Sequence, residues 1–381
     1  MSYLKYLQKP FIKLLLLFLF TRILLTFTGT YFRNFYKDVG VSNIVQYSNI
    51  EVLNSWGYWD TIWYLDIVNN GYTFEVLSKS GWEGQSSYNF FPLYPLSVKL
   101  VSFVLTDPLL SGILTSNVSF VISLYLLYSI VKESHNEKLA LRSVRYMILF
   151  PTSYIFSAML SESLFLLFLL ASYRCLQKKN WPLFGLSGLG IALTRVNGIA
   201  ILLPLFVEYF YHKKYQIKNI KLKEIVWFLF IPIGFLAFGV FVWIHTNNSL
   251  AFITIREAWG SHLTNPIVYI VKLLLKWKGA YGVYVATSIV SLTALIVLVS
   301  QKIPLRWTVL VLTLFLLPLM FAAEPGLLVA VHRLVLPAFP IYFGLAKLTT
   351  NEKADIIVCG IFFVGLVVLQ SFAAAGFSLI I

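Results

Sequence analysis

Three stretches of this sequence limit what the chain can fold into before any other feature is read. LLLLFLF (14–20), VSFVISLYLLYSIV (118–131) and IIVCGIFFVGLVVL (356–369) contain no charged residue. A membrane-crossing helix needs roughly 20 residues of this kind. Such runs are too apolar and too numerous here for a soluble core. The composition agrees: 59% of the residues are hydrophobic and 12% charged, with a mean hydropathy of +0.79. Soluble proteins carry about a quarter charged residues. The expected fold is an all-α integral membrane bundle, with residues 1–381 forming one polytopic domain.

The net charge of +14 does not point to nucleic acid. Lys and Arg gather in short segments between apolar runs, the pattern that sets membrane topology, and no basic stripe or stacking module accompanies them. Cys175 and Cys359 lie within or beside hydrophobic segments without metal spacing and read as packing residues. Lys5, Lys9 and Lys13 precede the first apolar run. GTYFRNFYK follows it where a small-residue cleavage site would stand, so an uncleaved first span with a cytoplasmic N-terminus is expected.

About eleven spans are expected, at 11–30, 109–131, 143–159, 161–176, 181–195, 197–211, 224–245, 280–300, 307–323, 331–347 and 356–378. The odd number puts the C-terminus outside. It leaves a large outer loop at 31–108 and smaller ones near 246–279 and 322–332. The large loop is acidic, with Asp38, Glu51, Asp60, Asp66, Glu75, Glu83 and Asp107 against Arg33, Lys37, Lys79 and Lys99. Its many Trp and Tyr residues suit the headgroup region. Trp56, Trp59, Trp63 and Ile67 recur at helical spacing, with Asp60 at the edge of their stripe. An interfacial helix here would hold that carboxylate near the lipid–water boundary. FFPLYPLSVKLVSFVL (90–105), with Pro92, Pro95 and Lys99, is expected as a second interfacial helix.

A carboxylate at this depth is hydrated, paired or used. Asp60 reads either as a helix-surface acid in a wet loop or as a working group. Glu162, between Ser161 and Ser163 in FPTSYIFSAMLSESLFLLFLL (150–170), reads as a first-turn acid or an acid of the site. Arg195, in ALTRVNGIAILLP (192–204), requires a cavity or a partner carboxylate such as Glu162. Arg256 in REAWG (256–260), with His332 and Arg333 in AVHRLVLPAFP (330–340), stand at outer-facing ends. They either anchor helices at headgroup depth or bind a lipid phosphate, which the planar guanidinium fork matches. Outer acids facing outer cations suit transfer from a lipid-phosphate donor: the acid activates the acceptor and the cations stabilise the leaving phosphate. No P-loop, HExxH, GxSxG or DxD pair occurs, and the five histidines are scattered. No cofactor is expected. A divalent ion between Asp60 and the donor phosphate is the alternative.

Five segments occur in an order that resembles a known family: YWDTIWYLDIVNNGY (58–72), NFFPLYPL (89–96), FPTSYIFSAMLSESLF (150–165), LTRVNGIAILLP (193–204) and HRLVLPAFP (332–340). They resemble the PIG-V group, comprising the GPI mannosyltransferase 2 proteins and their prokaryotic relatives, within the GT-C superfamily of multi-span glycosyltransferases. The resemblance extends from about residue 20 to 345. It implies a GT-C-like bundle whose active site lies in the first large loop, on the non-cytoplasmic side, with Asp60 as general base. It implies a polyprenyl- or dolichyl-phosphate hexose as donor, most plainly mannose, and inverting transfer to a hydroxyl of a glycolipid, glycan or protein acceptor. Glu162 falls on the family's SE element, Arg195 on its TR element and His332–Arg333 on its late outer motif. Trp59, Trp63, Tyr64 and Tyr72 would shape the substrate site. Tyr58 departs from the family, which often has a basic residue there, so the phosphate contact passes to Arg256 and Arg333. The implied location is the plasma membrane in a bacterium or the endoplasmic reticulum in a eukaryote. A transporter or flippase of lipid-linked saccharides is the competing class. It would more often show paired repeats with interrupted helices in matching halves, which the sequence lacks.

Overall fold

A computed structural model describes residues 9–40, 44–73, 85–248, 251, 255, 265, 281–300, 302–320 and 331–376. Every regular element among the described residues is helical. The first helix, α1 (Lys9–Asp38), runs on past the expected end at 30. Nothing in GTYFRNFYK breaks a helix before Gly40, which takes a positive φ of 82°. Arg33 and Lys37 therefore ride on the last turns of α1 and not in the loop.

Two short helices follow, α2 (Asp60–Asn70) and α3 (Leu93–Ser102). At 10 residues α3 is too short to cross a bilayer. Its Tyr94 and Val98 are buried, while Leu96 and Leu100 are exposed. Next comes α4 (Pro108–Ser134). Its start is fixed by Asp107, whose side chain accepts from the Leu110 amide at 2.8 Å, and by Pro108 in the first turn. One face of α4 is small and hydroxylated, with Ser111, Gly112, Thr115, Ser116, Ser119 and Ser123 all buried. Small residues let neighbouring backbone come close. At Gly112 a Cβ would lie 2.3 Å from Met159 Cγ.

The span expected at 143–159 is corrected. The helix there, α5 (Glu137–Leu149), stops before Pro151, because a proline drives the preceding residue out of helical conformation. Phe150 accordingly sits at φ −53°, ψ 137°. Residues 151–161 then run through the interior with a single 3-10 turn at Ser153–Phe156. The chain continues with α6 (Glu162–Lys178), α7 (Trp181–Thr194), a 3-10 turn (Val196–Ile201) and α8 (Leu202–His212). A longer helical run, α9 (Leu222–Thr246), follows. The remaining helices are α10 (Tyr281–Val299), α11 (Leu305–Met320), α12 (Val331–Val335), α13 (Pro340–Leu348) and α14 (Glu352–Ala374). The span expected at 331–347 is thus divided into α12 and α13, since Pro337 and Pro340 interrupt it.

In the bundle α4 packs on α5 and α6, α6 on α7, α7 on α9, α13 on α5, and α14 along α1. Among the described residues, four helices are long and apolar enough to cross a membrane: Pro10–Asp38, Pro108–Ser134, Leu222–Thr246 and Glu352–Ala374. Others that were expected as spans, such as Trp181–Thr194 and Leu305–Met320, are apolar but shorter.

Candidate functional site

Asp60 is the first residue of α2, where free backbone amides favour a carboxylate. The aromatic stripe around it packs on protein. Trp63 is 3% and Ile67 5% exposed, Trp63 stacks on Phe90 at 5.9 Å and Tyr64 meets Tyr94 edge-on at 4.8 Å. This corrects the expected helix lying on lipid by its indoles. Trp56 belongs to the preceding 3-10 turn (Glu51–Trp56), and its Nε1 donates to Thr26 Oγ1 of α1 at 3.0 Å. Trp59, beside Asp60, is 37% exposed. The NNGY end of the motif also has a structural cause. Gly71 takes φ 78°, ψ −164°, a conformation open in practice only to glycine. That turn carries Tyr72 away from Asp60, to stack on Tyr88 at 5.4 Å and donate its hydroxyl to Phe90 O at 2.7 Å. Asp66 accepts from Asn70 Nδ2 at 2.8 Å on the exposed side of α2.

The irregular segment before α6 is stitched to this helix. The Met159 amide donates to Trp56 O at 3.2 Å, Thr61 Oγ1 donates to Met159 O at 3.2 Å, and the Tyr64 hydroxyl donates to Ser161 Oγ at 2.9 Å. Burial, and after it the charge of Asp60, push the Tyr64 hydroxyl up from its ordinary value, so it stays a neutral donor. From the other side, Arg22 of α1 donates to Ser157 Oγ at 2.8 Å and Ser153 O at 3.1 Å. Glu162 therefore starts α6 from a fixed platform.

Three further charged side chains converge on it or through it. Arg195, which ends α7 in extended conformation, sends Nη1 to Glu162 Oε1 at 2.8 Å and to Ser161 Oγ at 3.1 Å. Arg333, on α12, donates from Nε to Glu162 Oε1 at 2.6 Å and from Nη2 to Asp60 Oδ2 at 2.7 Å. Two acids and two guanidinium groups make a set of zero net charge, which makes its burial tolerable in a low-dielectric interior. The set is graded in exposure. Glu162 is 0% exposed, Arg333 9%, Arg195 16% and Asp60 25%. Asp60 Oδ1 and Arg333 Nη1 make no hydrogen bond among the described residues.

Of the residues singled out in the sequence, Asp60, Tyr64, Glu162, Arg195 and Arg333 thus come together. His332 is fully buried, with Arg333 and Glu162 as its charged neighbours. Trp63 and Tyr72 turn into the protein elsewhere, and Arg256 lies outside the described residues. Ser161, which the sequence offers only as a helix cap, is a junction between Tyr64 and Arg195. Arg22 went unread too; its signal is a cation inside LLLLFLFTRILL, which must find acceptors. Among the described residues no three His, Cys, Asp or Glu side chains are grouped to hold a metal ion.

Asp60, Glu162 and Arg195 all fall within one family match, while Arg333 lies beyond its end. None of the curated proteins matches the chain. The family described as Mannosyltransferase (PIG-V) matches residues 4–253. A mannosyltransferase takes a sugar donor and an acceptor, and the long apolar helices suit a protein of the membrane. With well over half of its length matched, the chain belongs to the mannosyltransferase (PIG-V) family and is a membrane mannosyltransferase.

Proposed function

We propose that the protein spans the membrane many times and transfers mannose from a polyprenyl- or dolichyl-phosphate donor to an acceptor hydroxyl on the non-cytoplasmic side, with Asp60 as general base. The observation that carries this is the open end of the ionic set. Arg333 fixes Oδ2 of Asp60, whose side chain is 25% exposed, and leaves Oδ1 without a hydrogen bond among the described residues. Oδ1 takes the proton of the acceptor hydroxyl. The acceptor oxygen then attacks the anomeric carbon on the face opposite the phosphate, the bond from that carbon to the phosphate oxygen breaks, and the configuration inverts. The departing polyprenyl phosphate keeps the bonding electrons. Arg333 Nη1, with Arg195 and Arg256, stabilises its charge. Trp59, half-exposed beside Asp60, offers a ring face to the sugar.

The acceptor approaches along a groove of about 650 Å3 lined by Tyr47, Ser48, Asn49, Thr106 and Asp107. Support for this comes from two contacts. Tyr47 packs so closely over Gly57 that a Cβ there would lie 2.3 Å from its ring, which sets the groove beside the turn leading into Asp60. The loop itself is held rigid: Asn54 Oδ1 accepts from the amides of Tyr47 at 2.7 Å and Ser48 at 3.0 Å. The Asn49 side-chain amide, the Thr106 hydroxyl and the Tyr47 ring along this groove are groups of the kind that bind a sugar. The test compares Asp60→Asn with wild type in membranes supplied with polyprenyl-phosphate mannose and candidate acceptors. A folded variant with unchanged turnover removes Asp60 from the chemistry.

A further inference from the structure

Glu162 is fully buried, so no sugar reaches it directly, yet it touches the group that touches Asp60. The geometry at Arg333 tells what it does there. Nε and Nη2 form one edge of the guanidinium fork, the edge that ordinarily closes on a single carboxylate through two parallel hydrogen bonds. Here the edge is shared: Nε goes to Glu162 Oε1 at 2.6 Å and Nη2 to Asp60 Oδ2 at 2.7 Å. Arg195 Nη1, at 2.8 Å from the same Oε1, holds Glu162 from behind.

We propose that Glu162 is a positioning residue for the transfer reaction: by occupying Nε of Arg333 it prevents that arginine from chelating both oxygens of Asp60, and so keeps Oδ1 turned to the acceptor. The role rests on Asp60 being the base. Were Glu162 absent, the freed edge of Arg333 would close on Asp60, and the oxygen that receives the proton would be engaged. A carboxylate that merely balances charge has no such requirement for position.

Three variants separate the two cases, each assayed as turnover per donor-loaded enzyme in membranes, with KM for both substrates recorded. Glu162→Asp keeps the charge but withdraws the acceptor from Nε by one methylene, and it should lower kcat about tenfold with KM unchanged. Arg333→Lys keeps the charge but loses the two-sided bridge and should cost about a hundredfold, the scale of a misplacement of about 1 Å. The combination Glu162→Asp with Arg333→Lys should turn over no more slowly than Arg333→Lys alone, because Glu162 acts only through the arginine. Glu162→Asp at the wild-type rate, or a double variant that loses the product of the two factors, overturns the proposal. Should Glu162→Asp fail to accumulate, Glu162→Met, which removes the acceptor from Nε at similar length, takes its place under the same two criteria. An active Asp60→Asn would instead remove the function itself, whereas an inactive Asp60→Asn with additive losses at Glu162 and Arg333 removes only the positioning role.

Discussion

Two arginine–carboxylate clusters sit toward opposite ends of α14, and their difference separates a fastening from the proposed working site. Near one end, Asp355 is closed. Its Oδ1 accepts from the Tyr146 hydroxyl at 2.7 Å, and its Oδ2 is shared by Arg145 and by Arg142 at 3.4 Å. The Tyr146 hydroxyl oxygen also lies 2.5 Å from Thr349 Oγ1, so α5, α14 and the end of α13 are tied together. Near the other end, Gln370 donates to Ser55 O at 3.4 Å, close to the turn that carries Asp60. There the same residue types leave Oδ1 of the partly exposed Asp60 open, and Oε2 of the buried Glu162 without a hydrogen bond among the described residues. A buried acid with both oxygens engaged holds helices; one with a vacant oxygen at the surface can take a proton.

That contrast can be broken from either side. The largest effect is expected at Asp60→Asn, which should lower turnover about a thousandfold, within the range of general-base loss. Its melting temperature should barely move, because Arg333 keeps Glu162 as a partner; activity and thermal unfolding of the purified protein in detergent check both halves. Asp355→Asn should do the reverse. Removing the partner of the buried Arg142 guanidinium should cost about 3 kcal/mol, read as a large fall in unfolding temperature, while turnover at a permissive temperature stays near wild type. A slow but stable Asp355→Asn would erase the distinction.

A smaller loss tests the turn that closes α2. Gly71→Ala forces a side chain into a glycine-only conformation and should destabilise by about 1.5 kcal/mol. Hydrogen exchange should show the loosening confined to the contact of Tyr72 with Tyr88. The smallest effect sharpens the acceptor side of the site: Asn49→Ala should raise KM for the acceptor about fivefold, the worth of one hydrogen bond, and leave KM for the donor alone. An equal rise for both substrates would move the groove out of the acceptor path.

Much of the architecture was legible because apolar length is a local property, and α1, α4, α9 and α14 stand where hydropathy alone puts long helices. The error at 143–159 has the same origin. FPTSYIFSAML stays hydrophobic beyond Pro151, so the apolar signal hides a broken helix whose polar groups are satisfied by Arg22, Thr61 and Trp56. At the site, residue types were legible but partners were not. Asp60 and Arg333 are 273 residues apart, and no spacing rule links them. The Trp63 stripe announced one buried face of α2 correctly but not what covers it, since lipid and the aromatic side chains of Phe90 and Tyr94 are alike to an indole. Ser161 was invisible as a junction because a serine before a helix is ordinarily explained by capping.

The shared grip on Glu162 also bears on how such a chain is made. Arg195 ends the helix that follows α6, so Glu162 has a partner as soon as two consecutive helices have been synthesised. Arg333 appears 171 residues after Glu162, when most of the bundle exists. Until then Asp60 stands at the surface without its arginine. The proposed transferase centre is therefore among the last features that biogenesis completes, and a chain interrupted before α12 would keep its fastened Glu162–Arg195 pair and lack the grip that orients Asp60.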